Sequence, residues 1–209
     1  MKRFDIITEA DARVLEIGSV DALAPGGQIT PLALDTLRAR KVTVTRDVLD
    51  ADLAALTPPA DIRRVAIGSD HSGVALKSAL REQLRAAGIA VDDIGTHNSD
   101  PVDYPDIAAQ VARLVARREA DAGIVIDGAG LGSTIAANKI DGVRAAMCTD
   151  QTLARYAREH NGANVLALGA TLISNDAARA IVQTFLSTPM REPRYIRRLL
   201  KVRNLERTR

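Results

Sequence analysis

The stretch GIVIDGAGLGSTIAANK, residues 123–139, decides the fold. It opens with an apolar run that ends at Asp127, continues with a glycine-rich loop, and then shows a helical pattern through Ile135 and Ala136. This order predicts one strand–loop–helix unit of a parallel α/β sheet. The glycines would let the backbone approach an anion at the helix N-terminus. They would equally suit tight packing of strand against helix, and both interpretations stay open here.

The same alternation recurs along the chain. Four more short apolar runs, each followed by an amphipathic pattern, are VAIGSD from Val65, Val91–Ile94, VRAAMC up to Cys148, and NVLALG at 164–169. Five strand–helix units in series predict a Rossmann-like, doubly wound sheet of five parallel strands with flanking helices. A final basic helix, from about 191 to 206, lies outside this repeat.

Residues 1–60 differ from the rest of the chain. Thr30 and Pro31 predict the start of a short helix, and Leu49, Leu53 and Leu56 predict another. TPPADIRR, residues 57–64, is typical of a linker. We therefore expect an N-terminal appendage over 1–60, packed on the main domain or on a second subunit, and a main domain over 61–209. The appendage shows no cluster of chemically active residues.

Composition excludes several functions. The chain has 28 basic and 26 acidic residues, and aromatic residues are only 2%. This balance, with so few stacking groups, argues against a nucleic-acid-binding module that would use the basic C-terminus. No run of 18 apolar residues and no signal-peptide pattern is present. We expect a cytoplasmic protein with neither a membrane nor a nucleic-acid partner, and with Cys148, its one cysteine, as a packing residue.

Polar residues cluster after the predicted strands, where ligands bind in sheets of this kind. Ser69 to Gly73 follow the first strand, and the loop from Asp127 to Ser133 follows the third. All three histidines lie in loops or at helix ends. Arg194 and Arg198, four residues apart, share a helix face and could hold a phosphate, although a solvated basic helix is the simpler interpretation.

The motifs together resemble the ribose-5-phosphate isomerase B family, which includes the galactose-6-phosphate isomerase subunits. The matching stretches lie between residues 63 and 205 and are GSDHSG (68–73), DYP (103–105), GAGLGSTIAANK (128–139), GVRAAMC (142–148) and EHNGANVLALG (159–169). The resemblance implies an aldose–ketose isomerase of the pentose phosphate pathway that works without a cofactor or metal. Its default reaction converts ribose 5-phosphate to ribulose 5-phosphate through an enediolate.

The resemblance also implies a homodimer or homotetramer whose active sites are shared between subunits. His160 and Asn161 would then serve the neighbouring chain. Among the catalytic residues, His160 would assist ring opening, and the N–H groups from Gly128 to Ser133 would stabilise the enediolate oxygen. The implied substrate-binding residues are Asp70 for hydroxyls, His71, Arg194 and Arg198 for the phosphate, and Tyr104, Gly128, Gly130, Gly132 and Asn161.

Four positions depart from the family pattern. The cysteine that often serves as the base is replaced by Asp127, and the glutamate of another branch by Ser133. A frequent loop threonine is Ala129, and a frequent arginine after the fifth strand is Thr171. We take Asp127 as the base, because a carboxylate performs this proton transfer in triosephosphate isomerase. The alternative is a non-catalytic sugar-phosphate-binding protein that has lost the usual base.

The N-terminal segment GGQITPLALDTLRARKV, residues 26–42, loosely resembles segments of proteins associated with bacterial microcompartments. This likeness implies that residues 1–60 could serve assembly or recruitment.

Overall fold

The computed structural model describes residues 2–46, 56–190 and 193–206, apart from the side chains at 25, 26, 46, 193, 194 and 197. The chain divides into two compact units, Met1–Ala54 and Ala55–Arg209. The helix expected from Leu49 and Leu53 lies outside the described residues.

The first unit is a small parallel sheet with two helices. Its elements are β1 (Arg3–Ile7), α1 (Glu9–Val14), β2 (Val20–Ile29), α2 (Pro31–Ala39) and β3 (Thr43–Arg46). The strands pair in the order β1-β2-β3, all parallel. The Thr30 hydroxyl accepts a hydrogen bond from the N–H of Ala33 at 3.4 Å, so α2 begins as predicted. Leu23, Leu37 and Ile7 belong to a separate apolar core in this unit.

The sequence patterns did not predict this sheet. β2 contains Pro25 followed by two glycines, and its apolar residues do not alternate with polar ones. Both features are untypical of a strand. The structure therefore adds three strands to the expected appendage.

The second unit contains the predicted α/β sheet. Its elements are β4 (Arg64–Ser69), α3 (Val74–Ala86), β5 (Ala90–Gly95), α4 (Tyr104–Ala116), β6 (Ala122–Asp127), α5 (Leu131–Ala137), β7 (Ala145–Met147), α6 (Gln151–Asn161), β8 (Val165–Gly169), α7 (Asn175–Ser187) and α8 (Pro193–Glu206). The strand order is β5-β4-β6-β8-β7 and every pair is parallel. This confirms the predicted five-stranded doubly wound sheet.

Apolar side chains cover both faces of this sheet. On β6, Ile124 and Ile126 face a core shared with α3, α6 and α7, whereas Val125 faces a core shared with α4. All six residues of β6 are buried, as expected for a central strand of a parallel sheet. The alternation of side chains between the faces therefore explains why the strand lacks polar residues until Asp127.

The strand order reverses at the boundary between β4 and β6. The chain passes from β4 outward to β5 and then returns across to β6, so the loops after β4 and β6 diverge. Such a switch point opens a crevice at the carboxyl edge of the sheet. Residues 70–73 and 128–130, which follow these two strands, line that crevice.

Candidate active site

Asp127 ends β6 inside the crevice and is 5% exposed. One oxygen, Oδ1, accepts hydrogen bonds from the N–H groups of Ala129, at 2.9 Å, and Gly130. The other, Oδ2, accepts from the N–H of Ser133 at 2.8 Å. A carboxylate offers about four lone-pair sites, so roughly one remains on Oδ2. The backbone thus fixes the carboxylate and leaves it capacity to accept a proton.

The glycine loop is arranged differently from the family-based expectation. We expected the N–H groups from Gly128 to Ser133 to face a substrate oxygen. Those of Ala129, Gly130 and Ser133 instead donate to the carboxylate of Asp127. The carboxylate at this position explains the difference, because it is the nearest anion to the start of α5.

Gly130 gives the loop its shape. Its φ is +77°, in the left-handed region. A Cβ there would lie 3.0 Å from the carbonyl carbon of Leu168 and 3.0 Å from Cγ of Met147. The loop can therefore lie against the end of β8 only with glycine at this position. Thr171 fixes the loop from the other side, donating through Oγ1 to the carbonyl of Gly128 at 2.7 Å.

Asp70 faces the glycine loop from the end of β4. It is 8% exposed, and its Oδ1 accepts from the N–H of Ser72 at 2.9 Å and the hydroxyl of Ser72 at 2.6 Å. The Ser72 hydroxyl lies 3.8 Å from the position that a Cβ on Gly128 would take. Ser72 thus belongs to the crevice, although the sequence did not single it out. Its place in a loop directly after Asp70 was the available signal.

His71 and Tyr104 complete this edge of the sheet. His71 is exposed, and its Nδ1 accepts from the N–H of Val102 at 3.5 Å. The ring of Tyr104 lies against Gly132, where an added Cβ would be 2.5 Å from its Cε2 atom. The structure therefore brings together Asp70, His71, Tyr104, Asp127, Ser133 and the three loop glycines.

A buried ion pair joins α3 to β5. Lys77, 1% exposed, donates through Nζ to Oδ1 of Asp93, and Arg81 donates to Oδ2 at 2.8 Å. Asp93 also accepts from the N–H of Gly95 at 3.2 Å. Burial alone would raise the pKa of Asp93, but its bonds from Lys77, Gly95 and Arg81 outweigh burial and lower it. Sequence patterns did not reveal this pair, because a lysine on α3 is typical of a solvated position.

His160 lies in a second cluster. Its ring stacks on Tyr156 at a centroid distance of 4.7 Å and packs against Tyr195 at 4.6 Å. The guanidinium of the exposed Arg198 lies 5.7 Å from the centre of the Tyr195 ring. The exposed Asn161 follows His160 and donates to the carbonyl of Tyr156 at 3.2 Å. This α6–α8 cluster therefore gathers His160, Asn161 and Arg198; the Arg194 side chain lies outside the described residues.

The two clusters lie at opposite edges of the sheet within one chain. α6 leaves the carboxyl end of β7 at Gln151 and reaches the amino end of β8 at Asn161. Eleven helical residues span about 16 Å. His160 is therefore separated from the crevice of its own chain by the height of the sheet.

Cys148 is 1% exposed in the apolar core. Burial, with a smaller contribution from Asp150, raises the pKa of its thiol to about 12. A thiol of this kind stays protonated at neutral pH, which suits a packing residue.

The described residues contain no group of three or more histidine, cysteine or acidic side chains placed to hold a metal ion. Among the helices that the structure describes, none is both long and apolar enough to cross a membrane.

Comparison with known proteins identifies the family of this chain. The family model described as Ribose/Galactose Isomerase matches residues 65–202. Ribose-5-phosphate isomerase B of Escherichia coli K12 is 38% identical over 148 residues, which are 71% of this chain and 99% of the relative.

Solved structures are similar as well. Ribose-5-phosphate isomerase B of Clostridium thermocellum is 46% identical, with a TM-score of 0.69 over 69% of this chain and 98% of that one. The Mycoplasma genitalium protein, solved with bound ribulose-5-phosphate, is 37% identical, with a TM-score of 0.67 over 69% and 96% of the chains. These matches confirm the predicted resemblance. The chain belongs to the ribose/galactose isomerase family and is an aldose–ketose sugar-phosphate isomerase.

Proposed function

We propose that this chain interconverts ribose 5-phosphate and ribulose 5-phosphate, with Asp127 as the base. The observation that carries the proposal is the carboxylate of Asp127 in the switch-point crevice, held by three N–H groups with one lone-pair site left on Oδ2. The reaction needs a base that removes a proton next to a carbonyl and returns it to the neighbouring carbon. No cofactor or metal enters this scheme.

The proposed proton transfer moves negative charge from Asp127 to the substrate. When Asp127 takes the proton from C2, its negative charge passes to the enediolate oxygen of the substrate. The N–H groups of Ala129, Gly130 and Ser133 donate to the carboxylate, so they orient Asp127 and stabilise its negative charge before the proton is transferred. Asp70 and His71, on the facing loop, would contact the sugar hydroxyls and the phosphate.

A second copy of the chain completes the proposed site. His160, Asn161 and Arg198 lie at the amino edge of their own sheet, away from the crevice of the same chain. In a homodimer or homotetramer with shared sites, this cluster would face the partner's crevice. His160 would open the sugar ring, and Arg198 with Arg194 would bind the phosphate.

An isomerisation assay over tetrose, pentose and hexose phosphates tests the substrate. We expect ribose 5-phosphate to give the highest kcat/KM. Turnover of only another sugar phosphate would move the proposal to that sugar. Binding of ribose 5-phosphate without turnover of any sugar in the panel would indicate a binding protein that has lost its base.

Two substitutions test the base. Asp127→Asn should lower kcat by about 10²–10⁴, the usual contribution of a general base, with ribose 5-phosphate binding retained in calorimetry. Asp127→Cys should recover part of the turnover, because a thiolate can carry the same proton. Asp141→Asn, an exposed position at a distant turn, is the matched control. Full activity in Asp127→Asn would remove the assignment.

We also propose that the enzyme acts in cytoplasmic sugar metabolism. Residues 1–60 would serve assembly or recruitment, including association with a microcompartment. The family model begins at residue 65, so the first unit is an addition to the matched region. Unchanged localisation and oligomeric state after deletion of the first unit, residues 1–54, would contradict a role in recruitment or assembly.

A further inference from the structure

A buried arginine, Arg158, and a half-buried one, Arg144, contact the turn that follows His160. Arg158, on α6, is 1% exposed. Its guanidinium donates to the carbonyl of Ala163 at 3.0 Å and to that of Thr188 at 3.3 Å, and its carbon lies 5.2 Å from the centre of the Phe185 ring. The partners of this cation are therefore neutral oxygens and a ring face.

Arg144 holds the same turn from the other side. It precedes β7, and its Nε donates to the carbonyl of Gly162 at 2.8 Å. Its backbone N–H donates to Oδ1 of Asn164 at 2.7 Å. Gly162 and Ala163, the two residues after Asn161, are thus each bound by one guanidinium group.

Both arginines also donate to the segment 56–59, where the linker begins. Arg144 donates through one terminal nitrogen to the carbonyl of Leu56 at 2.9 Å. Arg158 donates through one terminal nitrogen to the carbonyl of Pro59 at 3.0 Å. Two carbonyls, three residues apart on one short segment, therefore each accept a hydrogen bond from one of the two guanidinium groups.

The linker contacts carry energetic weight because the cations are desolvated. Burial, and to a smaller extent the charge of Arg144, lowers the pKa of Arg158 to about 10. Burial also lowers the pKa of Arg144. A buried charge that loses a hydrogen-bond partner is penalised strongly. Freeing the linker should therefore disturb the guanidinium groups and, through them, the turn at Gly162 and Ala163.

We propose that residues 56–59 act as a strap that positions His160 and Asn161 through Arg144 and Arg158. The two arginines and the linker carbonyls are positioning groups that do not touch the substrate. The catalytic consequence rests on the proposed function of His160. The strap would set the orientation of the His160 ring, and this orientation can be measured without an activity assay. The strap precedes the region matched by the family model, which starts at residue 65.

Proton NMR of the full chain provides that measurement. The chain has three histidines, so the imidazole signals are few. The ring of His160 lies between two tyrosine rings at 4.7 and 4.6 Å, and ring currents should shift its signals upfield. Arg158→Lys replaces a planar fork with a single ammonium that cannot reach the same carbonyls. We expect the upfield shift of His160 to be lost, with His71 and His97 unchanged.

A linker variant tests the strap without touching either arginine. Replacing Pro58 and Pro59 together with glycine frees the backbone that presents the carbonyl of Pro59. We expect a smaller loss of the His160 shift, in the same direction as for Arg158→Lys. Arg179→Lys, at an exposed position on α7, is the matched control and should leave all three histidines unchanged. If Arg158→Lys does not fold, the linker variant alone tests whether the strap positions His160.

Kinetic measurements distinguish failure of the strap proposal from failure of the proposed function. In an active enzyme, the linker variant should lower kcat/KM about tenfold, as small misplacements of catalytic groups do. Failure of the parent chain to turn over sugar phosphates would overturn the proposed function and leave the NMR result valid. His160 signals identical to those of the parent in the folded linker variant would overturn the strap.

Discussion

The crevice at the carboxyl edge and the α6–α8 cluster hold their polar side chains in different ways. In the crevice, Asp127 and Asp70 are buried and bound by backbone N–H groups of their own loops. In the α6–α8 cluster, His160 is about one-third exposed and is held by stacking between tyrosines. The hydrogen bonds that hold the two carboxylates in the crevice all come from the same chain. In the α6–α8 cluster, part of the His160 side chain stays accessible to another molecule.

The difference bears on the proposed sharing of the site between subunits. The proposed base must keep sub-ångström geometry, and backbone hydrogen bonds supply it within one chain. Under the proposed function, the groups assigned to the ring oxygen and the phosphate would come from another copy. The separation of about 16 Å along α6 supports this proposal, because it keeps the two clusters of one chain apart.

Mixed oligomers test whether the crevice of one chain works with the α6–α8 cluster of another. Their activity should show the largest of the expected effects. Asp127→Asn and His160→Gln should each lower kcat by about 10²–10⁴. When the two inactive variants are refolded together, half of the dimers are mixed, and each mixed dimer contains one intact site. About a quarter of the parent activity should return.

The control for mixing uses two substitutions in the same half of the site. Asp127→Asn refolded with Asp70→Asn should recover no activity above that of the two separate variants, because each crevice of a mixed dimer then carries one of the two substitutions. Recovery in this control, or none with His160→Gln, would mean that the halves do not combine across chains.

The buried pair of Lys77 and Asp93 gives the next largest effect. Asp93→Asn leaves Lys77 buried without its anion, so the free energy of unfolding should fall by about 3–5 kcal/mol at pH 7. Asp92→Asn, on the same strand but in an exposed pair with Arg64 at 3.9 Å, should cost less than about 1 kcal/mol. Urea unfolding measures both values.

The same pair predicts a pH dependence. The pKa of Asp93 is lowered in the folded state, so its contribution to stability is present above the ordinary value of about 3.9 and is lost as pH falls through the lowered value. The parent should lose stability through this acid range more steeply than Asp93→Asn. Equal slopes would show that Asp93 is not the group responsible.

Gly132→Ala should have the smallest of these effects. The new Cβ would lie 2.5 Å from the Tyr104 ring, so the ring must move, at a cost of about 1–3 kcal/mol. We expect a higher KM and a lower unfolding free energy. In a Tyr104→Ala background the clash is absent, so Gly132→Ala should cost much less stability there. Additive effects would contradict the contact.

The sequence predicted the second unit well because its signals are local. The apolar run ending at Asp127, the glycine loop and the alternation around it fix strand, turn and helix without reference to distant residues. Gly88, two residues beyond the end of α3, has a φ of +79°, and glycine at such a position is a local signal for the end of a helix. Leu76, Leu80 and Leu84, at a spacing of four in the sequence, are all buried on one face of α3.

The remaining features depend on contacts between distant segments. In the first unit, β1 and β3 are only five and four residues long, and β2 lacks alternation and contains a proline. Lys77 becomes buried only because Asp93, on another strand, faces it. The hydrogen bonds that tie Asp127 to its own loop depend on the loop's backbone geometry, which residue types alone do not specify.

The crevice also has a consequence for redox chemistry. The position before the glycine loop holds a carboxylate, and the chain's one thiol, on Cys148, is buried with a pKa raised to about 12. Peroxides attack exposed thiolates, whereas a carboxylate has no corresponding oxidation states. An isomerase with a thiol as its base would be inactivated by oxidants. With Asp127 as the proposed base, the reaction would not depend on a side chain that peroxide can oxidise.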